Sequence, residues 1–158
     1  MKTRFFLLIA LFAMISTSTV SAQFYKRKKV AVTEVVDPSG EVAASTKAYI
    51  RNRMSEAVTN SEDYEAYVSI SFLSLEANFD RNGNISEATF SYVKKQQMDY
   101  VLKTAINITS KNTAQLIAYI YNSSTGRVVA MKTIDVRTDL DSLRIACTKL
   151  TYELVGAI

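Results

Sequence analysis

The segment Gln96–Val136 reads QQMDYVLKTAINITSKNTAQLIAYIYNSSTGRVVAMKTIDV and decides the fold of this 158-residue chain. It contains three β-rich runs, Asp99–Thr109, Thr113–Tyr121 and Arg127–Val136, with only short polar connections between them. Gly126, in the second connection, suits a hairpin loop that needs a positive φ. Successive strands joined by such short turns pair antiparallel, so the segment predicts a three-stranded meander.

The middle run of the meander is apolar on both sides. Its two alternating sets of side chains are Leu116, Ala118 and Ile120 on one side and Ile117, Tyr119 and Tyr121 on the other. A strand of a membrane barrel has one lipid-facing side and one wet side, which this pattern does not match. Apolar residues on both sides are typical of a central strand with both faces covered. We therefore expect the meander to lie dry between helices.

Strands and helices alternate through the rest of the chain. The predicted elements are a strand at Lys29–Val36, a helix at Ala43–Thr59, a strand at Tyr64–Ile70, a helix capped by Ser86 and running to Gln97, and a helix after Thr138. In the first of these helices Ile50, Met54 and Ala57 or Val58 fall on one apolar stripe. Phe72–Phe79 fits a short helix better than a continued strand. The pattern predicts an α/β (α+β) domain: a mixed sheet of about five strands, with a C-terminal antiparallel meander, packed by about three to four helices.

The final helix has a clear apolar stripe. Thr138 and Asp141 have the spacing of an acidic variant of the capping box, which predicts the start of this helix. The residues that recur at helical spacing after it are Leu140, Leu143, Cys147, Leu150 and Leu154. Because Cys147 lies within this stripe, we interpret it as a small buried hydrophobe rather than a reactive thiol.

The N-terminal segment has the pattern of a secretory signal peptide. Lys2 and Arg4 precede the apolar run Phe5–Ile15, and Val20-Ser21-Ala22 forms a cleavage pattern before Gln23. We expect residues 1–22 to be removed and residues 23–158 to form one exported domain, either periplasmic or secreted. Removal takes away two of the 19 basic residues and none of the 15 acidic ones, which leaves a net charge of +2.

The composition excludes several kinds of catalytic site. The chain has no histidine and a single cysteine, so it has no Ser-His-Asp triad, no Cys-His pair and no internal disulfide. The usual zinc site, which depends on Cys and His, is excluded as well. Glu62, Asp63 and Glu65 are grouped, but we interpret them as a solvated loop and strand edge. We expect no enzymatic activity, no catalytic residue and no cofactor.

A basic run lies just before the first predicted strand. Lys26, Arg27, Lys28 and Lys29 form this run, which offers weak contact with anionic surfaces. It stands alone without interleaved aromatic residues, so we interpret it chiefly as a solvated flank and expect no nucleic-acid partner. The expected partners are envelope proteins or other copies of the chain, with no membrane span. The candidate contact surfaces are the basic run and the edges of the first and last strands, in no order of preference.

The stretch NFDRNGNISEAT, residues 78–89, resembles a calcium-binding loop in part. Aligning Gly83 with the turn glycine of such loops places Asn78, Asp80 and Asn82 at the first ligand positions. The twelfth position is Thr89 instead of a bidentate glutamate. We therefore prefer a plain turn that precedes the next helix, and calcium binding at Asp80–Asn82 stays open.

Several short segments resemble a family of periplasmic domains. They are KKVAVTEVVD, YEAY, MDYVLKTAINI, AQLIAYIYNSSTGRVVAMKTIDV and the closing leucine-rich helix. With the order of elements, they resemble the CsgG-like family of curli production assembly and transport, the N-terminal domain of TolB, and the lipoprotein activators of penicillin-binding proteins. Asp99–Leu102 and Thr125–Val129 occupy the places of two family motifs. The resemblance implies a non-enzymatic interaction or assembly module of the cell envelope.

Three features depart from the family pattern. Lys103 lies near a frequent glycine, Val68-Ser69 replaces an acidic-Arg pair, and the lipid-accepting cysteine is missing. The extra hairpins of pore-forming members are also missing, so pore formation by this chain alone is not expected. Two alternatives stay open: an activator of a cell-wall enzyme, weakened by the missing anchor, and a carboxylate-based hydrolase.

Overall fold

The computed structural model describes residues 26–68 and 85–158. The elements are β1 (Lys28–Val32), α1 (Ala44–Thr59), β2 (Tyr64–Tyr67), α2 (Glu87–Lys95), β3 (Tyr100–Ser110), β4 (Thr113–Asn122), β5 (Val128–Arg137) and α3 (Leu140–Val155). Their order and type confirm the predicted fold class. The predicted signal peptide, the Phe72–Phe79 helix and the calcium-ligand candidates Asn78, Asp80 and Asn82 lie outside the described residues.

The five strands form one mixed sheet in the order β2-β1-β3-β4-β5. β1 pairs parallel with both β2 and β3, whereas β3, β4 and β5 pair antiparallel, as the predicted meander requires. Parallel neighbours need a crossover between them, and α1 supplies the crossover from β1 to β2. Within residues 26–68 and 85–158, β2 and β5 are the edges of the sheet.

One face of the sheet, here called the helix-covered face, packs against α1 and α3. The predicted apolar stripe of α1 is buried here, with Ile50 and Met54 at its centre. The predicted stripe of α3 lies beside it through Leu143, Leu150 and Leu154. Leu140, the first residue of that predicted stripe, is exposed instead. The sheet contributes fully buried side chains to the same cluster: Val30, Val32, Leu102, Ile106, Leu116, Ala118 and Ile120.

The opposite face, here called the open face, is covered only at one end by the described elements. There Val93 of α2 and Met98 pack against Ala31, Val101 and Tyr121. Tyr119 packs against the margin of this cluster, and farther along β4 and β5 Ile117 is half-buried and Met131 is exposed. The expectation of a meander dry on both faces was therefore wrong for this part of the sheet, because both large helices pack on the other side.

The first strand is shorter than predicted. Val32 is opposite Leu102, but Val36 forms an isolated bridge with Ala105, so the segment between Val32 and Val36, after the end of β1, has one extra residue relative to β3. Such an insertion turns the following side chains to the other face. Val35 is accordingly buried with the helix-covered core, whereas Val36 is exposed.

The second strand is also shorter than predicted. Tyr64 and Ala66 face the core as the alternation requires, but the strand ends at Tyr67 and the side chain of Val68 is exposed. Ser69 and Ile70, which complete the predicted strand, lie outside the described residues. In the described part of the chain β2 pairs with β1 alone. No strand on its other side therefore forms hydrogen bonds that would extend β2 beyond Tyr67.

Two helix ends differ from the predictions. Ser86 caps α2 as predicted, accepting a hydrogen bond from the Thr89 N–H, but the helix ends at Lys95 because Gln97 adopts a φ of 54°. Asp139 caps α3 instead of Thr138: its carboxylate accepts from the Ser142 N–H at 2.9 Å. Aspartate is among the best N-cap residues, and here it lies one position further along than the predicted cap.

Candidate functional site

The basic run at residues 26–29 has mainly a structural role. The guanidinium of Arg27 donates to the carbonyl oxygen of Thr59 and, at 2.6 Å, to that of Ser61. It thereby supplies donors at the carboxyl end of α1, where carbonyls lack helical partners. The ammonium of Lys28 lies 5.8 and 5.5 Å from the ring centres of Tyr64 and Tyr100. The run is therefore not a free cationic patch, although Lys26 is exposed.

The two motifs that carry the family resemblance hold the strands in place. The Asp99 carboxylate accepts from the Lys29 N–H at 2.8 Å, and its carbonyl oxygen accepts from the Ser123 N–H at 3.0 Å. Asp99 thus ties the start of β3 to β1 and to the β4–β5 turn. In that turn Gly126 has a φ of +68°, as predicted, and donates to the Asn122 carbonyl at 2.8 Å. These residues account for a shared fold without assigning a shared activity.

The structure does not bring the candidate acids together with a partner for catalysis. Glu62, Asp63 and Glu65 are exposed in the turn before β2 and on that edge strand. Within residues 26–68 and 85–158, no group of three or more Asp, Glu, His or Cys side chains is arranged to hold a metal ion. Thr89, the twelfth position of the calcium-like loop, is buried in the first turn of α2.

Cys147 lies on α3 and is buried in the core of the domain, as its position in the apolar stripe predicted. Burial raises the pKa of its thiol to about 12, and only the nearby Arg53 acts in the opposite direction. The thiolate, which is the reactive form, is therefore scarce at neutral pH.

A groove of about 360 Å³ lies between the first turns of α1 and α3 and the far end of β3. Ile106, Ile108 and Leu143 form its apolar part, and Glu41 and Lys111 contribute one charge of each sign. General acid–base chemistry on a substrate needs groups with matched pKa values inside a closed site. The groove offers a shallow polar and apolar surface instead.

The outer strand β5 carries the most exposed apolar surface of the sheet. Val128, Val129 and Met131 expose 48, 45 and 53% of their area. The sequence named the edge of the last strand as a candidate contact surface, but the exposed apolar side chains on it were not predicted, because Arg127–Val136 was expected to be covered on both faces. The sequence did contain a signal that this strand lies at an edge of the sheet. It carries three charged residues, Lys132, Asp135 and Arg137, and charged side chains are typical of edge strands.

The part of the chain that the structure describes contains no helix with the length and apolar character of a membrane span.

Comparisons with known proteins find likeness in structure only. No family model and no curated protein matches the chain. TolB from Acinetobacter baumannii is similar with a TM-score of 0.59 and 15% identity, over 84% of this chain and 28% of that protein. A PelC dodecamer from Paraburkholderia phytofirmans is similar with a TM-score of 0.55 and 13% identity, over 84% and 88%.

The C-terminal domain of LpoB from Escherichia coli is similar with a TM-score of 0.52 and 15% identity, over 78% of this chain and 93% of that domain. The chain thus spans less than a third of TolB but most of the PelC and LpoB chains. At these identities the likeness shows the fold alone. TolB, which the motifs resemble, shares that fold, and the comparisons give no evidence for the CsgG-like part of the resemblance.

Proposed function

We propose that the chain is an exported, non-enzymatic protein-interaction module of the bacterial cell envelope. The observation that carries the proposal is the likeness of the fold to TolB, PelC and LpoB. The motifs at Asp99–Leu102 and Thr125–Val129, which resemble the CsgG-like and TolB N-terminal-like domains, support it from the sequence. The signal-peptide pattern at residues 1–22 supports export.

The use of the polar side chains in the structure also supports an interaction role. Arg27, Lys28 and Asp99 contact backbone or aromatic groups of the domain itself. Exposed apolar side chains remain on β5, where another protein can reach them. A protein built in this way acts through its surface, by binding a partner.

Capture from envelope extract tests the proposal. The chain from Gln23 onward, immobilised through its C-terminus, should enrich a small set of envelope proteins at physiological salt. A bait carrying Ile145→Lys, a change of an exposed residue on α3, is the matched control and should enrich the same set. A bait that enriches nothing over the bare resin would contradict the proposal.

Export is tested separately. In a fractionated bacterial host the full chain should be recovered from the periplasm with Gln23 as its first residue, measured by mass spectrometry. The chain without residues 1–22 should stay in the cytoplasm. Recovery of uncleaved full-length chain in the cytoplasm would remove the envelope from the proposal.

A second candidate is a regulator that contacts and activates a penicillin-binding protein. The likeness to the LpoB C-terminal domain over 78% of this chain favours it. Glycan polymerisation by a purified penicillin-binding protein should then accelerate when the chain is added, and heat-denatured chain should have no effect. The narrower role in curli-like secretion is supported by the sequence motifs alone, and capture of a curli-secretion component would favour it over activation.

A further inference from the structure

β5 has an edge to which another strand can be added. It is ten residues long, and β4 is its only paired neighbour in the described part of the chain. A long edge strand presents a row of backbone N–H and C=O groups that another extended segment can bond. Most β5 side chains are exposed, so no described element lies over this edge.

A bulge at the start of β5 concentrates apolar side chains on the open face. Ile120 is opposite Ala130, but Tyr121 is opposite Val128, so Val129 is an extra residue. Val128 shares the face of Tyr121, and Val129 and Met131 flank Ala130 on that same face because side chains alternate along a strand. Three exposed apolar residues therefore lie side by side next to the edge.

Charge divides β5 into two halves. Residues 128–131, Val-Val-Ala-Met, carry none, whereas residues 132–137 carry Lys132, Asp135 and Arg137. Charged side chains on an edge strand oppose pairing with another strand. The first half of β5 lacks this protection and is the segment to which a strand can be added.

We propose that a second copy of this chain pairs antiparallel with this half of β5, with the two-fold axis at Ala130. An axis perpendicular to the sheet joins the same edge of two copies and keeps both open faces on one side. Centred on Ala130, it sets Val129 opposite the partner's Met131 and Met131 opposite the partner's Val129. Four apolar side chains then cover one another.

We choose a second copy of the chain as the partner because the apolar residues of the first half of β5 match one another when two copies pair antiparallel. Moving the axis to Lys132 or Thr133 sets Met131 opposite Thr133 or Asp135 of the partner, so only registers centred near Ala130 match apolar with apolar. The interface is small, which predicts a weak, concentration-dependent dimer. The inference rests on the proposed function in that it names a surface for the interaction role.

Sedimentation equilibrium of the purified chain from Gln23 onward tests the dimer. The mean mass should rise with concentration from one protomer toward two. Met131→Lys and Met131→Ser should each weaken association roughly tenfold or more, because each alters both of the Val129–Met131 pairs beside the axis. Ile145→Lys, which adds the same charge at a residue 60% exposed on α3, should leave association unchanged.

Disulfide cross-linking tests the register. Ala130→Cys should give a covalent dimer on mild oxidation, because residues on the axis face each other about 5 Å apart. Thr133→Cys should not, since its two copies are offset by about 20 Å along the strands. The native Cys147 should add little background cross-linking, because its thiol is buried and burial raises the pKa of that thiol to about 12.

A wild-type chain that stays monomeric up to its solubility limit would overturn the inference. So would a dimer that Met131→Lys leaves intact, or one that cross-links through Thr133→Cys and not through Ala130→Cys. Envelope capture separates the two claims. A monomer that still captures an envelope protein refutes the β5 dimer and leaves the proposed function standing.

Discussion

At the scale of single residues, Arg27 has the clearest structural role. Its guanidinium donates to the Thr59 and Ser61 carbonyls at the end of α1. Arg27→Met keeps the apolar stem and removes these donors, so the free energy of unfolding should fall by about 1–2 kcal/mol in urea denaturation. Lys26→Met, at the exposed neighbouring position, should change it by less than about 0.5 kcal/mol. Equal losses in both variants would contradict the capping role.

Two aspartates link stability to acid pH. The pKa of Asp37 is held below its ordinary value of 3.8, chiefly by the hydrogen bond from the Val42 N–H and to a smaller extent by the hydrogen bonds from Ser39. Hydrogen bonds from the Ser142 N–H and hydroxyl lower the pKa of Asp139 in the same way. Both pKa values are lower in the folded than in the unfolded chain. Their stabilising contribution is therefore complete above about pH 4 and is lost as the pH falls through the folded values.

The double variant Asp37→Asn, Asp139→Asn should show this dependence. Its urea midpoint should fall less than that of the wild type between about pH 5 and pH 2, because neither position carries a titrating carboxylate. Asp141→Asn, a change of an exposed carboxylate in the first turn of α3, should keep the wild-type slope. A double variant as acid-sensitive as the wild type would show that other carboxylates dominate.

At the scale of elements, the β4–β5 turn depends on Gly126. Its φ of +68° is costly for a residue with a Cβ, and an added Cβ would lie 3.5 Å from the Phe90 ring, an ordinary contact. The cost is therefore one of backbone conformation. Gly126→Val should lower the free energy of unfolding by about 1–2 kcal/mol, and Gly126→Asn by less, because Asn tolerates this region better. Equal losses measured by thermal unfolding would point to packing instead.

At the scale of the whole molecule, the two faces of the sheet are unequally covered. Leu116 and Ile117 are neighbours on β4, but Leu116 is fully buried under α1 and α3 whereas Ile117 is half-buried on the open face. Leu116→Ala should cost about 3 kcal/mol of unfolding free energy and Ile117→Ala about 1 kcal/mol. Similar costs in chemical denaturation would show that the open face is covered in solution.

The order and type of the elements followed from local patterns. Helical stripes such as Ile50 and Met54, the cap at Ser86 and the positive φ at Gly126 depend on residues close in sequence, and all four were predicted from them. Strand ends were predicted less well. The extra residue in β1 before Val36 and the end of β2 at Tyr67 depend on neighbouring strands that lie far away in sequence.

The candidate surfaces were harder to predict, for the same reason. The alternation of apolar residues along a strand does not show which of them are covered. Leu116 is buried on the helix-covered face, whereas Met131 is exposed to solvent. Likewise Arg27 and Lys28 belong to a basic run in the sequence, and only the fold places the end of α1 and two tyrosine rings against them. The sequence by itself determined the mixed sheet, the meander and the chemistry the chain lacks. The tertiary structure alone decided which face of the sheet the helices cover and which apolar side chains of the last strand stay exposed, because both depend on where distant helices pack.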